Sequence, residues 1–142
     1  MGFYSLDLKE LRSQDTTKRF PKTPFSHQVD AFHALTNWFD PKSKKGKGGL
    51  LVLPTGAGKT FTTVKWICDQ VLSKNIRVLW LANSYYLLDQ AYHELFSYAK
   101  WMPESRDTLN IRLVSGSGSH DTADSIDTSD DMVIISTQTA IK

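Results

Sequence analysis

The 142-residue sequence predicts an α/β protein, a parallel sheet with flanking helices. Three observations predict it. Short apolar runs (LLVLP, IRVLWLA, IRLVSG and MVIIST) recur along the chain. They alternate with stretches whose apolar residues repeat at three and four, the signature of an amphipathic helix. A glycine-rich turn, PTGAGKT, joins the first apolar run directly to the first helical stretch that follows it.

Taken in order, residues 1–24 read as a polar leader. Ser26 is a candidate N-cap for HQVDAFHALTNWF, where Ala31, Phe32, Leu35, Trp38 and Phe39 fall at helical spacing and Asp40-Pro41 stops the run. The basic loop PKSKKGKGG leads into LLVLP, residues 50–54, a run short and apolar enough for a strand buried on both faces. After Thr60, the stripe Val64, Ile67, Cys68, Val71 and Leu72 marks the next helix. IRVLWLA, residues 76–82, is a second buried strand. Asn83 or Ser84 caps a helix with the stripe Leu88, Ala91, Tyr92, Leu95, Phe96 and Ala99, closed by Pro103. IRLVSG (111–116) and MVIIST (132–137) are further strands, separated by a polar, acidic loop, and QTAIK has the look of a first helical turn.

Composition sets bounds on function. The apolar and charged fractions, 40% and 23%, are those of an ordinary globular domain, and one domain is what this length supports. No apolar run approaches a membrane span, and the start lacks the charged-then-apolar order of a signal peptide. The single Cys68 lies on an apolar stripe and reads as a small core residue. A reducing, cytoplasmic setting is the expectation, with no membrane partner. The net charge of +2 hides an uneven distribution, basic in 41–49 and acidic in 115–131, as solvated loops commonly are.

PTGAGKT carries the chemistry. It stands directly after a strand and directly before a helix, where a phosphate-binding loop belongs. In Thr55, Gly56, Ala57 and Gly58, the two glycines permit backbone angles that let successive N–H groups converge on one anion. The helix N-terminus adds its dipole. Lys59 is placed to reach the β- and γ-phosphates, and the Thr60 hydroxyl to hold Mg²⁺. The general pattern G-x-x-x-x-G-K-[ST] has glycine where this chain has Leu53. ATP and Mg²⁺ are the expected cofactors.

LPTGAGKT resembles motif I of superfamily 2 helicases and translocases, most closely the restriction-enzyme and UvrB-like branch. FSHQVDAFHAL resembles the upstream glutamine segment of that family, which implies that Gln28 reads the adenine edge; Phe25 stands where related sequences often carry arginine. WLANSYYLLDQA, residues 80–91, is similar to motif Ia, which implies backbone contacts to DNA from Asn83 and Ser84. ISTQTAIK, residues 135–142, resembles motif Ic, which implies a phosphate grip by Thr137 and Gln138. The resemblance runs from Phe25 to the end of the sequence and implies a RecA-like fold, a P-loop NTPase domain that drives movement on DNA.

Hydrolysis requires more than a cradle. It needs an aspartate at a strand end to order the metal and a second carboxylate to position water. The adjacent pair Asp130-Asp131 precedes its strand instead of following it. Lys59 is therefore the one candidate catalytic residue, and residues 25–142 read as the front portion of a helicase ATP-binding domain. Binding of ATP and contact with DNA without useful turnover is the expected behaviour. A non-catalytic half-lobe that docks a complementary chain is one alternative. A small P-loop kinase is another, although neither an acceptor-site carboxylate nor an arginine-rich lid follows the loop.

Overall fold

The computed structural model describes residues 2–14, 23–43, 45–56, 58–103 and 106–142. Its elements are β1 (Phe3–Asp7), α1 (Leu8–Gln14), α2 (Ser26–Trp38), α3 (Lys59–Gln70), β2 (Val78–Ala82), α4 (Tyr85–Ala99), β3 (Thr108–Val114), β4 (Met132–Ser136) and α5 (Thr137–Ala140). Short 3₁₀ turns follow α3 and lie between β3 and β4. No helix among the described residues is long and apolar enough to cross a membrane.

The four strands form one sheet in the order β1-β3-β4-β2. The ladders β2–β4 and β3–β4 are parallel, but β1 runs antiparallel to β3. The sheet is thus mixed, and the segment read as a polar leader is part of it over Phe3–Asp7. FYSLD escaped a sequence reading because only Leu6 is buried and its neighbours on the strand are partly or fully exposed. An edge strand with one dry position carries no strong alternation.

One face of the sheet is covered by α3 and α4. Leu109, Ile111 and Leu113 of β3, with Met132 and Ile134 of β4, meet Val64, Ile67 and Cys68 of α3 and Leu88, Ala91 and Leu95 of α4 in a single buried cluster. Cys68 is a fully buried member of it, and burial pushes its thiol pKa up, away from the reactive thiolate. Lys65, Asp69 and Tyr98 clip the two helices together at the rim, with Lys65 Nζ donating to Asp69 Oδ2 at 2.5 Å and to the Tyr98 hydroxyl at 2.9 Å.

The opposite face is polar on β3. Arg112, in the middle of that strand, donates from Nε to Asp130 Oδ2 at 2.8 Å and from Nη1 to Asp121, and lies 4.6 Å from the centre of the Phe3 ring. Beside it, Val114, Val133 and Ile135 form a second, smaller apolar cluster. The acidic stretch 115–131 is therefore more than a solvated loop, because two of its carboxylates neutralise a buried guanidinium.

Two expectations about strands fail. LLVLP makes no ladder: residues 50–54 belong to no strand, and Leu50 and Val52 are 89% and 76% exposed while Leu53 is buried. β2 is not buried on both faces either, since Leu79 and Leu81 point outward into solvent. For residues 50–54 the physical cause is a ladder that is not made. A strand needs a neighbour for its N–H and C=O groups, and among the described residues no strand pairs with the outer edge of β2. α2 also starts one residue earlier than its predicted cap implies, with Phe25 at the N-cap and Ser26 already helical.

The Asp121 carboxylate is held below the ordinary 3.8, chiefly because it accepts the Gly2 N–H at 3.0 Å and also because it pairs with Arg112. A depressed folded-state pKa contributes stability above the unfolded value that is lost as pH falls through the folded one. Melting temperature should therefore fall more steeply between pH 5 and pH 3 in the native protein than in Asp121→Asn. Identical slopes would show that this carboxylate does not couple protonation to folding.

Candidate functional site

The phosphate-loop segment enters α3 through two glycines in the left-handed region, Gly56 at φ +79° and Gly58 at φ +73°. Side chains rarely adopt such angles, so these positions explain the glycine spacing of the motif. Gly58 is the N-cap of α3, and its carbonyl accepts from Thr62 N–H at 2.9 Å and Thr62 Oγ1 at 2.8 Å. A Cβ at Gly58 would lie 2.6 Å from Gln28 Nε2, whereas one at Gly56 would meet nothing within 4 Å. Ala57 lies outside the described residues. Thr55 and Gly56 are exposed, and Lys59 projects from the first turn of α3 into solvent.

Gln28 is 4% exposed. Its Oε1 accepts the Phe25 N–H at 2.9 Å, a side-chain cap on the entry to α2, while its amide nitrogen abuts Gly58. The two glutamine-side and loop-side segments, thirty residues apart, are thus brought into direct contact.

A cleft of about 420 Å³ opens at the C-terminal end of the sheet, and Thr60, Asn83 and Thr137 all line it, with Trp80, Leu87 and Gln90. The parallel register explains the convergence. Ala82 pairs with Ser136, so the residue after β2 and the residue after β4 leave the sheet side by side. Ligands of open α/β sheets commonly sit at this end. Ser84 and Gln138 are not among the residues lining the cleft. Ser84 Oγ accepts the Leu87 N–H at 3.3 Å and caps α4, and Gln138 is exposed on the short α5. At α5 the capping hydroxyl is that of Ser136, which accepts from Thr139 N–H at 3.2 Å.

The carboxylates Asp130 and Asp131 are at the other end of β4. Asp130 pairs with Arg112, and Asp131 Oδ2 with Arg106 at 2.7 Å and with the Asn110 N–H at 2.8 Å. They serve the fold and do not reach the cleft. A further polar chain was invisible in the sequence: Ser115 Oγ lies 2.6 Å from His120 Nδ1, and His120 Nε2 lies 2.9 Å from Asp89 Oδ1. Ser115 Oγ also accepts the Ser117 N–H at 3.0 Å, and Ser115 is buried, so the chain ties the loop after β3 to α4. No spacing signal links Asp89 to residues 115 and 120.

A glycine loop at a helix N-terminus, beside a cleft at the carboxyl ends of parallel strands, defines the phosphate-loop class of α/β domains with a RecA-like fold. The sequence model of one such family, described as "Type III restriction enzyme, res subunit", matches residues 21–142. The chain belongs to that family, whose matched region is a superfamily 2 helicase ATP-binding domain. β1 and α1 precede the matched region. No curated protein matches the chain. No solved structure matches it.

The two glycines can be told apart by experiment. Gly58→Ala must bear both a left-handed backbone and a clash with Gln28, and Gly56→Ala the backbone term alone, about 1–2 kcal/mol. Urea unfolding should show the larger loss for Gly58→Ala. Equal losses would mean that Gln28 does not press on the loop.

Proposed function

We propose that this chain binds Mg-ATP through residues 55–60 and acts as the ATP-binding part of a helicase or translocase on DNA. The observation that carries the reading is the pair of left-handed glycines leading into α3, with Lys59 exposed and Thr60 lining the cleft. Thr55, Gly56, Ala57 and Gly58 supply the backbone cradle, Lys59 a positive charge for the β- and γ-phosphates, and Thr60 a hydroxyl for the metal. Mg²⁺, when bound, neutralises phosphate charge and fixes the phosphate geometry. Gln28 belongs to this site as the side chain against which Gly58 is packed.

The nucleic-acid contacts of this reading are Asn83 and Ser84 after β2 and Thr137 and Gln138 after β4. Support comes from the shared lining of one cleft by Asn83 and Thr137 together with Thr60. The residues described bind and orient nucleotide. No acidic pair among them stands at a strand's carboxyl end to activate water, so turnover by these residues alone is expected to be negligible. A second reading, a non-catalytic half-lobe that docks a complementary chain, is favoured by the uncovered outer face of β2 at Leu79 and Leu81.

Fluorescent-ATP titration with and without Mg²⁺ tests the proposal. Lys59→Ala should weaken binding at least tenfold with an unchanged melting temperature, because Lys59 is exposed. Thr60→Ala should abolish the Mg²⁺ dependence. Undiminished binding by Lys59→Ala would remove the phosphate loop from the reading, and salt-insensitive or absent binding of duplex DNA would remove the DNA contacts.

A further inference from the structure

We propose that Trp38 and the lysines of the loop after α2 form a contact site for single-stranded nucleic acid, separate from the cleft at Thr60. The site is built where α2 ends. Trp38 is the last residue of that helix and is 37% exposed. Two hollows share its side chain. One, of about 310 Å³, is apolar and is lined by Leu35, Leu50 and Leu51. The other, of about 170 Å³, is lined by Lys45 and Lys47 with Ser43 and Asp40. Neither shares a lining residue with the cleft at Thr60.

The indole is held in place by its surroundings. A Cβ at Gly49 would lie 3.3 Å from Trp38 Cε2, so the chain returning from the loop runs close against the ring. The Phe39 ring, tilted by 39°, stands 6.3 Å away. The Trp66 indole N–H donates to Thr36 Oγ1 at 3.1 Å, whereas that of Trp38 meets no acceptor among the described residues.

The charge beside it is of one sign. Lys42, Lys45 and Lys47 are exposed, and none pairs with a carboxylate among the described residues. Asp40, the one carboxylate lining either hollow, is engaged by its own turn, where Oδ1 accepts the Lys42 N–H at 3.0 Å. Ser43 Oγ accepts the Lys45 N–H at 3.3 Å and donates to the Lys45 carbonyl at 3.1 Å, which sets the course of the loop beside Trp38. Cations next to a flat apolar ring match a strand whose phosphates alternate with unpaired bases. A duplex keeps its bases in the stack and would offer the lysines phosphate alone. An acidic peptide would engage the lysines but leave the indole and the apolar hollow unused.

The test is fluorescence anisotropy of a labelled oligothymidine of about 15 nucleotides with the whole chain. It is compared with an abasic strand of the same length, a duplex, and polyglutamate as competitor. The oligothymidine should bind more tightly than the duplex. Trp38→Ala should weaken it by about 5- to 100-fold, the range of one lost stacking contact, and leave the abasic strand unchanged, with affinity largely restored by Trp38→Tyr. The double variant Lys45→Gln/Lys47→Gln changes exposed positions only, and should weaken both strands. It should also flatten the slope of log affinity against log salt by about 1.4, or ~0.7 for each lost phosphate contact. Indifference of the oligothymidine to the paired lysine change, or an equal loss for the abasic strand in Trp38→Ala, would overturn the proposal. Competition by polyglutamate as strong as by unlabelled oligothymidine would overturn it in favour of an acidic protein partner. Binding lost in Asn83→Ala/Thr137→Ala while both loop variants keep it would confine the strand to the cleft, and overturn this site without touching the phosphate-loop reading.

Discussion

The parallel ladder between β2 and β4 is the constraint on which the candidate site depends. With Ala82 opposite Ser136, both strands end level, and the chain leaving each is delivered to the same end of the sheet. Asn83 and Thr137 become neighbours of Thr60 for that reason. A slip of one residue would turn Ile134 away from the helices and carry Ile135 toward them, disrupting both buried clusters at once. The core beneath α3 and α4 therefore enforces the register that assembles the site, which links packing energy to the geometry of the cleft.

The two faces of the sheet are built on different physics. Beneath the helices, leucine, isoleucine and valine side chains fill a continuous core, with a methionine at the start of β4. On the far side a buried guanidinium is neutralised by Asp121 and Asp130, and the β1 segment is tied in through Gly2 and Phe3. An uncompensated charge at Arg112 would be costly, and Asp121 and Asp130 compensate it while tying the acidic loop to the sheet. That cover stops short of β2. Leu79 and Leu81, and the unladdered Leu50 and Val52, leave an apolar surface of the kind that marks contact with another structure.

Much of this architecture was legible because it is local. Helix α4 was readable from its stripe and from Ser84, whose hydroxyl does cap it. The strands β3 and β4 were readable as apolar runs between turn residues, and the left-handed angles at Gly56 and Gly58 are what the glycine spacing of PTGAGKT requires. Residues 50–54 show the limit of the same logic. Their apolar character signals a strand, but strand formation is a property of a pair, and a sequence pattern names only one member. β1 went unseen for the complementary reason: its partner in β3 supplies the order that its own mixed pattern does not.

The sequence by itself determined the alternation of strand and helix, the place of the phosphate loop between them, and the family to which the chain belongs, since each is written in short-range residue patterns. Only the tertiary structure decided that β1 closes the sheet antiparallel, that Arg112 is paired with Asp121 and Asp130, and that Gln28 braces Gly58. These depend on groups far apart in the chain whose meeting is set by side-chain packing and strand register, and neither is encoded in any local pattern.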